Sequence, residues 1–354
     1  GPTLAFKDIA MQVIGNMYDY LKVSENKVVN IIVATSGDTG SAAIAALNDR
    51  KNINVFVLHP HNMISNIQRK IMTTIGSNNI FNIAVKGSFD DCQKIVKDMF
   101  NENEFREKIN MSGVNSINWA RIICQIVYYF YAAFKIGKQK ISFSVPTGNF
   151  GDIYAGYMAK KMGLPIDKLI VATNENNILQ RVINTGEYRP SKVKPSLSPS
   201  MDIQISSNFE RLLFDILGKD DRKVASLMND LSTKGFFKLD HEVIKIIKKD
   251  FCAEKVNDDE TLDIIKNFNT DLKFILDPHT ATAFGAVKKV NNLSETIILG
   301  TAHPYKFLET IKKAIGIEIK APLQLSNALD KEEKFDIIDN NILEIKNYIL
   351  KKII

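Results

Sequence analysis

Short runs of β-branched residues alternate with helical patterns through most of the chain, and this alternation limits the fold more than any other feature of the sequence. Continuous apolar strands that are separated by crossover helices favour mainly parallel sheets covered on both faces, so we expect the α/β class. The predicted strands are residues 28–34, 55–58, 80–85, 141–145, 169–172 and 296–299. The predicted helices between them are residues 41–48, 64–75, 89–100 and 118–136.

Three further segments interrupt this pattern. Residues 189–201 contain three prolines and four serines, which is typical of an exposed or ligand-facing loop. Residues 209–268 are predicted to be mostly helical, and residues 332–354 to form a terminal amphipathic helix with lysines near its end. A chain of 354 residues is long enough for two domains, or for one large α/β unit with an appendage.

Composition excludes several classes of protein. A hydrophobic content of 45% is too high for a mainly disordered chain, and the longest apolar stretch, residues 122–134, is too short to span a membrane. The net charge of +6 is modest, and no stripe of basic and aromatic side chains indicates nucleic-acid binding. The three cysteines lack CxxC spacing and the five histidines lack zinc-ligand spacing. We therefore expect a cytoplasmic protein with free thiols, no metal, and no membrane or nucleic-acid partner.

Lys7 is a candidate reactive lysine. It follows Leu-Ala-Phe and opens an apolar periodicity that predicts a helix beginning near Phe6. An ammonium group is unfavourable at the positive end of a helix dipole, whereas a neutral amine, or an imine to a carbonyl cofactor, suits that position better. An exposed lysine without a function is the simpler interpretation when this residue is taken alone.

Two glycine-containing loops each join a predicted strand to a predicted helix. Residues 146–152 (PTGNFGD) include Gly148 and Asn149, and this geometry directs backbone N–H groups and a positive helix end at a phosphate. Residues 34–41 (ATSGDTGS) have the same arrangement, with hydroxyl groups suited to a second anion. Either loop alone could equally be an ordinary turn with a capping residue. No Lys-Ser/Thr pair follows the loop at 146–152, which argues against a nucleotide P-loop, and the dinucleotide motif GxGxxG is absent.

Two more segments carry side chains suited to anions or ligands. Asn118 and Arg121 are three residues apart on the longest predicted helix and so share a face, where the guanidinium could bind a phosphate or carboxylate. A capping asparagine and a surface salt bridge would explain the same two residues without any ligand. Thr301 follows the last predicted strand, and α/β folds bind ligands at the carboxyl ends of their strands.

Eight segments of the chain occur in the order seen in the threonine synthase family, so essentially the whole sequence resembles that family. They are GPTLAFKD at 1–8, ATSGDTGSA at 34–42, NSINWARI at 115–122, PTGNFGD at 146–152, PSMDI at 199–203, SSNFERLLF at 206–214, DPHTATA at 277–283 and TAHPYKF at 301–307.

The resemblance implies the tryptophan-synthase-β-like fold of pyridoxal-phosphate (PLP) enzymes, with two parallel-sheet α/β domains and the cofactor between them. The expected smaller domain, which closes on substrate, is residues 21–136. The expected larger, PLP-binding domain is residues 1–20 and 137–354, with the C-terminal helices. The resemblance is to the branch of the family with an additional N-terminal domain, which we expect this sequence to lack.

The resemblance also implies the reaction and its residues. The reaction is that of a lyase, which converts O-phospho-L-homoserine and water to L-threonine and phosphate, in a monomer or homodimer. Lys7 would be the catalytic residue and bind PLP as a Schiff base. The other expected cofactor-binding residues are Gly148, Asn149, Phe150, Asp152 and, facing the pyridine nitrogen, Thr301. The expected substrate-binding residues are Ser36, Asp38, Thr39, Asn118 and Arg121.

Three alternatives remain open at this point. The first is another enzyme of the same fold, a serine/threonine dehydratase or a sulfhydrylase. The second is a threonine-synthase-like protein that binds PLP or a phosphorylated ligand without turnover. The third is a phosphosugar or nucleotide binder without PLP. Phosphate release from O-phosphohomoserine, keto acid formation from serine or threonine, and the absorbance of bound PLP distinguish these classes.

Overall fold

The computed structural model describes residues 1–25 and 27–353. The strands are β1 Val29–Ala34, β2 Ile53–Pro60, β3 Ile80–Lys86, β4 Met111–Ser112, β5 Ile141–Pro146, β6 Ile166–Thr173, β7 Glu187–Tyr188, β8 Phe237–Lys238, β9 Phe251–Lys255, β10 Thr296–Ile298 and β11 Asp336–Asp339. The helices are α1 Lys7–Glu25, α2 Asp38–Leu47, α3 Asn66–Thr73, α4 Phe89–Asn101, α5 Asn103–Lys108, α6 Trp119–Ile136, α7 Gly151–Lys161, α8 Ile178–Thr185, α9 Phe209–Ile216, α10 Asp221–Lys234, α11 His241–Asp250, α12 Asp258–Leu272, α13 Pro278–Lys289, α14 Leu308–Ile315, α15 Leu323–Leu329 and α16 Ile342–Ile353. Two short 3₁₀ helices span Pro199–Met201 and Pro304–Phe307.

The first compact unit consists of Gly1–Arg121 and Ile319–Ile354. Its sheet has the strand order β11-β3-β2-β1-β4, and every neighbouring pair is parallel. Because β1 and β4 are parallel neighbours, the loops that follow them leave the sheet at the same edge. These loops are the glycine-containing segment that leads to α2 and the segment that leads to α6.

The sheet of the first unit is covered on both faces. Ile31 of β1 and Val55 of β2 pack on one side, with Met11 of α1 and the apolar residues of α2. Ile32 and Phe56, the next residues along the same strands, pack on the other side with α4 and α16. Side chains alternate along a strand, so consecutive apolar residues bury both faces. The expected α/β architecture with parallel strands is confirmed.

The second compact unit is Ile122–Glu318. Its main sheet has the parallel order β10-β5-β6-β9, and β7 and β8 form a separate antiparallel pair. Phe143 of β5, Phe251 of β9 and Tyr129 of α6 are fully buried in its core. The Ser144 hydroxyl donates a hydrogen bond of 2.7 Å to the carbonyl of Ala283, which ties α13 to β5. Since β5 and β10 are parallel neighbours, the loops after them also leave the sheet at one edge.

The compact units are bounded differently from the two domains expected from the sequence, which assigned residues 1–20 and 137–354 to the larger domain. In the structure α1 packs on α2 through Met11 and Ile14. The chain returns to the first unit at Ile319, before α15, and β11 pairs there with β3. Apolar contacts and strand pairing therefore join both ends of the described chain to the first unit. The roles assigned to the two domains stay predictions.

All six predicted strands are present, and α1 begins at Lys7 as expected. The segment 209–268 contains β8 and β9 in addition to helices. The segment 332–354 contains β11 before its helix, and its residue 354 lies outside the described residues. Among the described residues, no helix is both long enough and apolar enough to cross a membrane.

Candidate active site

The segment before α1 is folded back onto the first turn of that helix. The carboxylate of Asp8, which is buried, accepts hydrogen bonds from the Thr3 N–H at 3.0 Å, the Thr3 hydroxyl at 2.5 Å and the Ala5 N–H at 3.3 Å. Leu4, within this turn, has a φ of 53°, a conformation that residues with a side chain rarely adopt. Asp8 therefore holds the turn that leads into Lys7.

Lys7 is buried beside an acidic side chain. It is 7% exposed, and its Nζ lies 4.0 Å from Oδ2 of Asp38 and 4.4 Å from the centroid of the Phe6 ring. The other carboxylate oxygen of Asp38 accepts a hydrogen bond of 3.2 Å from Nε2 of Gln68, on α3. Two of the predicted site residues are thus in direct contact. Gln68 was missed, because its place in an amphipathic helix carries no functional signal.

Two of the residues with a hydroxyl group in the loop after β1 are partly exposed. The Thr35 hydroxyl oxygen accepts hydrogen bonds from the N–H groups of Gly37 and Gly40, so it stabilises the turn itself. Gly37 has a φ of 143°, and a Cβ there would lie 2.5 Å from Nε2 of Gln68, so only glycine fits. Ser36 and Thr39 are partly exposed. Thr35 and Ser41 are buried, so Ser36 and Thr39 are the hydroxyl-bearing residues of this loop with surface left for a small ligand.

Asn118 and Arg121 differ in their surroundings. Asn118 caps α6, since its Oδ1 accepts a hydrogen bond of 3.0 Å from the Ala120 N–H. Arg121 is 2% exposed, so it does not form the surface salt bridge that was the simpler interpretation. Its Nη1 donates to the carbonyl of Val114 at 3.1 Å, while its Nε has no hydrogen-bond partner in the part of the chain that the structure describes.

Burial without an acidic partner makes Arg121 an unusual cation. Burial alone lowers the pKa of its guanidinium to about 10, and no acidic side chain among the described residues offsets this effect. A guanidinium with that pKa is still charged at neutral pH, and burying an unpaired charge is costly. An anion that binds to Arg121 would remove this cost. The observation fits the expectation that Arg121 binds a phosphate or carboxylate.

The loop after β5 begins α7 from a strained residue. Phe150 is the N-cap of α7, with a φ of 66°, and its buried ring packs against Phe209 and Phe251. A phenyl ring cannot accept a hydrogen bond from the first turn of a helix, so this side chain anchors the loop and leaves any ligand contact to its backbone. The conformation persists because the surrounding core holds the ring.

Asn149 and its neighbour Asn208 stabilise the same loop. Oδ1 of Asn149 accepts a hydrogen bond of 2.8 Å from the Gly151 N–H. The Asn149 carbonyl accepts two more, from the N–H of Asn208 at 3.0 Å and from its Nδ2 at 3.1 Å. Asn208 is fully buried and belongs to the segment SSNFERLLF. This segment supported the family resemblance, but no role was predicted for Asn208.

Gly148 lies directly against the backbone of the 3₁₀ helix at Pro199–Met201. A Cβ on Gly148 would lie 3.1 Å from the Cα of Met201 and 3.2 Å from the carbonyl oxygen of Ser200. Backbone atoms cannot move aside as the end of a flexible side chain can. The position therefore needs glycine because of close packing, and any larger residue would displace the loop.

Tyr129 of α6 binds the start of α7. Its hydroxyl donates a hydrogen bond of 2.8 Å to the carbonyl of Asp152 and lies 3.2 Å from a carboxylate oxygen of the same residue. Burial, with the nearby charge of Asp152, raises the pKa of Tyr129 well above its usual value, so the phenol remains a donor. A Cβ on Gly156 would lie 2.5 Å from the Tyr129 ring, so that glycine makes room for it.

Thr301 lies just beyond β10 and is 7% exposed. The pairing of β10 with β5 extends to the Leu299 N–H, which donates to the carbonyl of Ser144 at 3.0 Å. The Thr301 N–H donates to the hydroxyl of Thr280 at 3.3 Å. The Thr301 hydroxyl is buried and makes no hydrogen bond with the described residues. A buried hydroxyl without a protein partner needs a bonding atom from a bound molecule, which fits the expectation that Thr301 faces a ligand.

The predicted site residues form one group in each unit. Lys7, the loop that carries Ser36, Asp38 and Thr39, and the segment with Asn118 and Arg121 belong to the first unit. The second unit contains Gly148, Asn149, Phe150 and Asp152 in one loop, and Thr301 beyond the neighbouring strand. Besides Gln68 and Asn208, Tyr129 was not predicted, because the contact that gives it a role joins residues far apart in sequence.

Two family models match the chain. Residues 1–237 match the pyridoxal-phosphate-dependent enzyme model, and residues 280–349 match the threonine synthase C-terminal model. The chain is similar to the threonine synthase of Pseudomonas aeruginosa, with 45% identity over 99% of this chain and 76% of that protein. It is also similar to the threonine synthase of Saccharomyces cerevisiae, with 46% identity over 89% of this chain and 68% of that protein.

A solved structure is similar along nearly the whole chain. The crystal structure of PLP-bound threonine synthase from Brucella melitensis has a TM-score of 0.94 and 44% identity, and covers 99% of this chain and 76% of that one. Fold and sequence agree over the same residues, which confirms the expected fold of PLP enzymes. The chain belongs to the threonine synthase family of pyridoxal-phosphate-dependent enzymes.

Proposed function

We propose that the chain uses PLP to convert O-phospho-L-homoserine and water to L-threonine and phosphate. Its relatives at 45% and 46% identity are named threonine synthases. Arg121 is the observation in this chain that most supports an anionic substrate, since its buried guanidinium has no acidic partner in the part of the chain that the structure describes. A substrate that carries both a carboxylate and a phosphate offers two groups that such a cation could bind.

The residues present fit PLP. Gly148 brings the loop backbone close without a side chain, and α7 begins in the same loop, so its N–H groups and positive end suit the cofactor phosphate. The buried hydroxyl of Thr301, which has no hydrogen-bond partner among the described residues, suits the pyridine nitrogen. Lys7 is buried at the start of α1 beside Asp38, as a lysine bound to the cofactor's aldehyde requires. Gly148, Asn149, Phe150, Asp152 and Thr301 would hold the cofactor together with Lys7.

When bound, PLP supplies an electron sink that makes the protons next to the amino group of the substrate acidic. The amine of Lys7 would take the proton from the α carbon, and it would have to give this proton up again, and so become neutral, before it could take a proton from the β carbon. Asp38 lies 4.0 Å from that amine, so its charge stabilises the amine after it has become protonated. A carboxylate repels anions, so we assign Asp38 mainly to Lys7, while Ser36, Thr39, Asn118 and Arg121 bind the substrate.

Departure of the substrate phosphate and addition of water set two further requirements. Arg121, as a buried cation, stabilises the negative charge that grows on the group bound to it. Ser36 and Thr39 are partly exposed residues, whereas the Thr35 hydroxyl accepts hydrogen bonds within the turn, so we assign donation of hydrogen bonds to the substrate to Ser36 and Thr39. Exclusion of stray water by closure of the expected smaller domain, residues 21–136, belongs to the same proposal.

The proposal also covers compartment and assembly. We place the protein in the cytoplasm as a monomer or homodimer, with a small-molecule substrate and no nucleic-acid partner. Cys92, Cys124 and Cys252 are all unpaired, which supports a reducing compartment. Light scattering of the purified protein gives the assembly state, and a mass above two chains would contradict this part of the proposal.

The decisive experiment compares three substrates with the PLP-loaded protein. Phosphate and threonine should appear from O-phosphohomoserine, with little pyruvate from serine or 2-oxobutyrate from threonine. Keto acids without phosphate release would instead identify a dehydratase of the same fold. PLP binding without any product would identify a non-catalytic binder, and the absence of PLP binding would refute the cofactor assignment as well.

A further inference from the structure

We infer that Asp277 is a positioning residue for the cofactor site, because it holds both the segment that carries Thr301 and the backbone against which Gly148 packs. This inference rests on the proposed PLP-dependent function and extends it to residues that contact no reacting atom. Asp277 caps α13 and is 2% exposed. One carboxylate oxygen accepts a hydrogen bond from Thr280, which in turn bonds to Thr301. The other is hydrogen-bonded to His279, which bonds to the backbone of Ser200 beside Gly148.

The first connection passes through the hydroxyl of Thr280. This hydroxyl donates a short hydrogen bond to Oδ2 of Asp277 and accepts one of 3.3 Å from the Thr301 N–H. A hydroxyl has a single proton, so donation to Asp277 leaves its oxygen lone pairs facing the Thr301 N–H. Asp277 thereby fixes the orientation of Thr280, and Thr280 fixes the backbone of Thr301. The Thr301 side chain stays available, since its hydroxyl makes no hydrogen bond within the described residues.

The second connection passes through the imidazole of His279, which is 3% exposed. Nε2 accepts a hydrogen bond of 3.2 Å from the Ser200 N–H, so Nε2 carries no proton. The proton is therefore on Nδ1, which donates to Oδ1 of Asp277 at 3.1 Å. Ser200 lies in the short helix whose backbone would contact a Cβ on Gly148 at 3.1–3.2 Å. Asp277 thus selects the tautomer of His279 that accepts a hydrogen bond from the Ser200 backbone, next to Gly148.

Ordinary helix capping explains only part of this arrangement. Oδ1 of Asp277 also accepts the N–H groups of His279 at 3.0 Å and Thr280 at 3.4 Å, which is what a capping aspartate does. Capping needs neither the Thr280 hydroxyl nor the imidazole of His279. Those two side chains lead away from α13 to Thr301 and to Ser200, so they distinguish a positioning role from a purely local one.

The first test removes one hydroxyl. Thr280→Val breaks the connection to Thr301, whereas Thr280→Ser keeps it. Thr282→Val is the matched control, since Thr282 lies on the same helix, is fully buried, and within the described residues its hydroxyl bonds to the carbonyl of Pro278 alone. Titration of the apoprotein with PLP, followed by absorbance, should give a dissociation constant raised about tenfold in Thr280→Val, which corresponds to one lost hydrogen bond, and unchanged in the other two variants.

The second test separates the two connections by ligand. His279→Leu removes the acceptor for Ser200, and His279→Gln can restore it through a side-chain oxygen. His279→Leu should weaken competition by inorganic phosphate against PLP about tenfold and leave binding of pyridoxal, which lacks the phosphate, nearly unchanged. Thr280→Val should instead weaken the binding of pyridoxal and leave the competition by inorganic phosphate nearly unchanged. His279→Gln should recover part of the phosphate affinity.

Each outcome decides a definite point. A wild-type protein that does not bind PLP would refute the proposed function together with this inference. Wild-type binding with equal constants for Thr280→Val and Thr282→Val, and equal phosphate competition for His279→Leu and wild type, would refute the inference alone. If Thr280→Val does not fold, the ligand pattern of the two His279 variants decides, because loss of general stability would weaken phosphate and pyridoxal equally.

Discussion

The Nζ of Lys7 lies 4.0 Å from Oδ2 of Asp38, and both side chains are buried. The two residues begin different helices, α1 and α2, and Gln68 holds the carboxylate from a third helix. We propose that the Lys7 amine gains and loses protons, and an acidic side chain beside it would stabilise the protonated form in a buried region.

Asp38→Asn should therefore lower kcat by about tenfold or more while changing KM for O-phosphohomoserine much less, since the variant removes a charge that acts on Lys7. Steady-state kinetics of phosphate release measure both constants. Asp49→Asn is a suitable control because Asp49 is exposed just beyond the opposite end of α2. A rise in KM alone would assign Asp38 to substrate binding instead.

Lys7→Ala should abolish turnover and the absorbance band of covalently bound PLP without unfolding the protein. The truncation removes the one amine assigned to both roles, and the Asp8 contacts that hold the preceding turn do not involve the Lys7 side chain. Circular dichroism checks the fold, and Lys51→Ala, at an exposed position, serves as the control. Retained turnover would refute the catalytic assignment.

Gly148→Val should raise the dissociation constant for PLP by at least tenfold, because the new side chain meets the backbone of Ser200 and Met201 and displaces the loop. Gly76→Val is the matched control, since a Cβ at Gly76 has no heavy atom within 4 Å. PLP titration of both apoproteins compares the two changes. Equal affinities would show that the loop after β5 does not hold the cofactor.

Arg121→Met should have opposite effects on substrate binding and on stability. The KM for O-phosphohomoserine should rise by tenfold or more, because the buried cation is lost. The free energy of unfolding in urea should stay the same or increase, because an apolar side chain of similar length removes the cost of burying an unpaired charge. A marked loss of stability with an unchanged KM would assign Arg121 to the core rather than to the substrate.

Stability should fall as the pH is lowered through the titration of His59. Burial lowers the pKa of His59 from 6.5 to about 4, and the side chain is 1% exposed. Between pH 6.5 and pH 4 the unfolded chain binds a proton at His59 that the folded chain does not bind. The contribution of neutral His59 to the free energy of unfolding is therefore fully present above pH 6.5 and is lost as the pH falls to 4. The difference corresponds to about 3 kcal/mol.

Urea unfolding of wild type and His59→Gln at pH 7.5 and pH 4.5 measures that contribution. The variant should lose less stability between the two pH values than the wild type, since glutamine does not titrate. His241→Gln, at an exposed site, should lose as much as the wild type. Identical pH dependence in His59→Gln and wild type would show that His59 is not responsible.

Local sequence was sufficient for the elements that bury many apolar residues and for the loops between them. The helix that begins at Lys7, the strands β1 and β5, and the glycine-containing turns after them were all predicted, because periodicity and glycine act within a few residues. The fold of PLP enzymes and the cofactor were instead implied by the resemblance of eight ordered motifs to the threonine synthase family.

Tertiary structure decided what depends on residues distant in sequence. The exposed segment Asp336–Asp339 forms β11 only because the edge of β3 offers backbone groups to pair with. Gln68 reaches Asp38, Asn208 reaches Asn149, and Thr280 reaches Thr301 only after strands and helices have packed. A side chain used for such a contact looks ordinary in its own segment, since its partner, and therefore its role, is set by the packing of the whole unit.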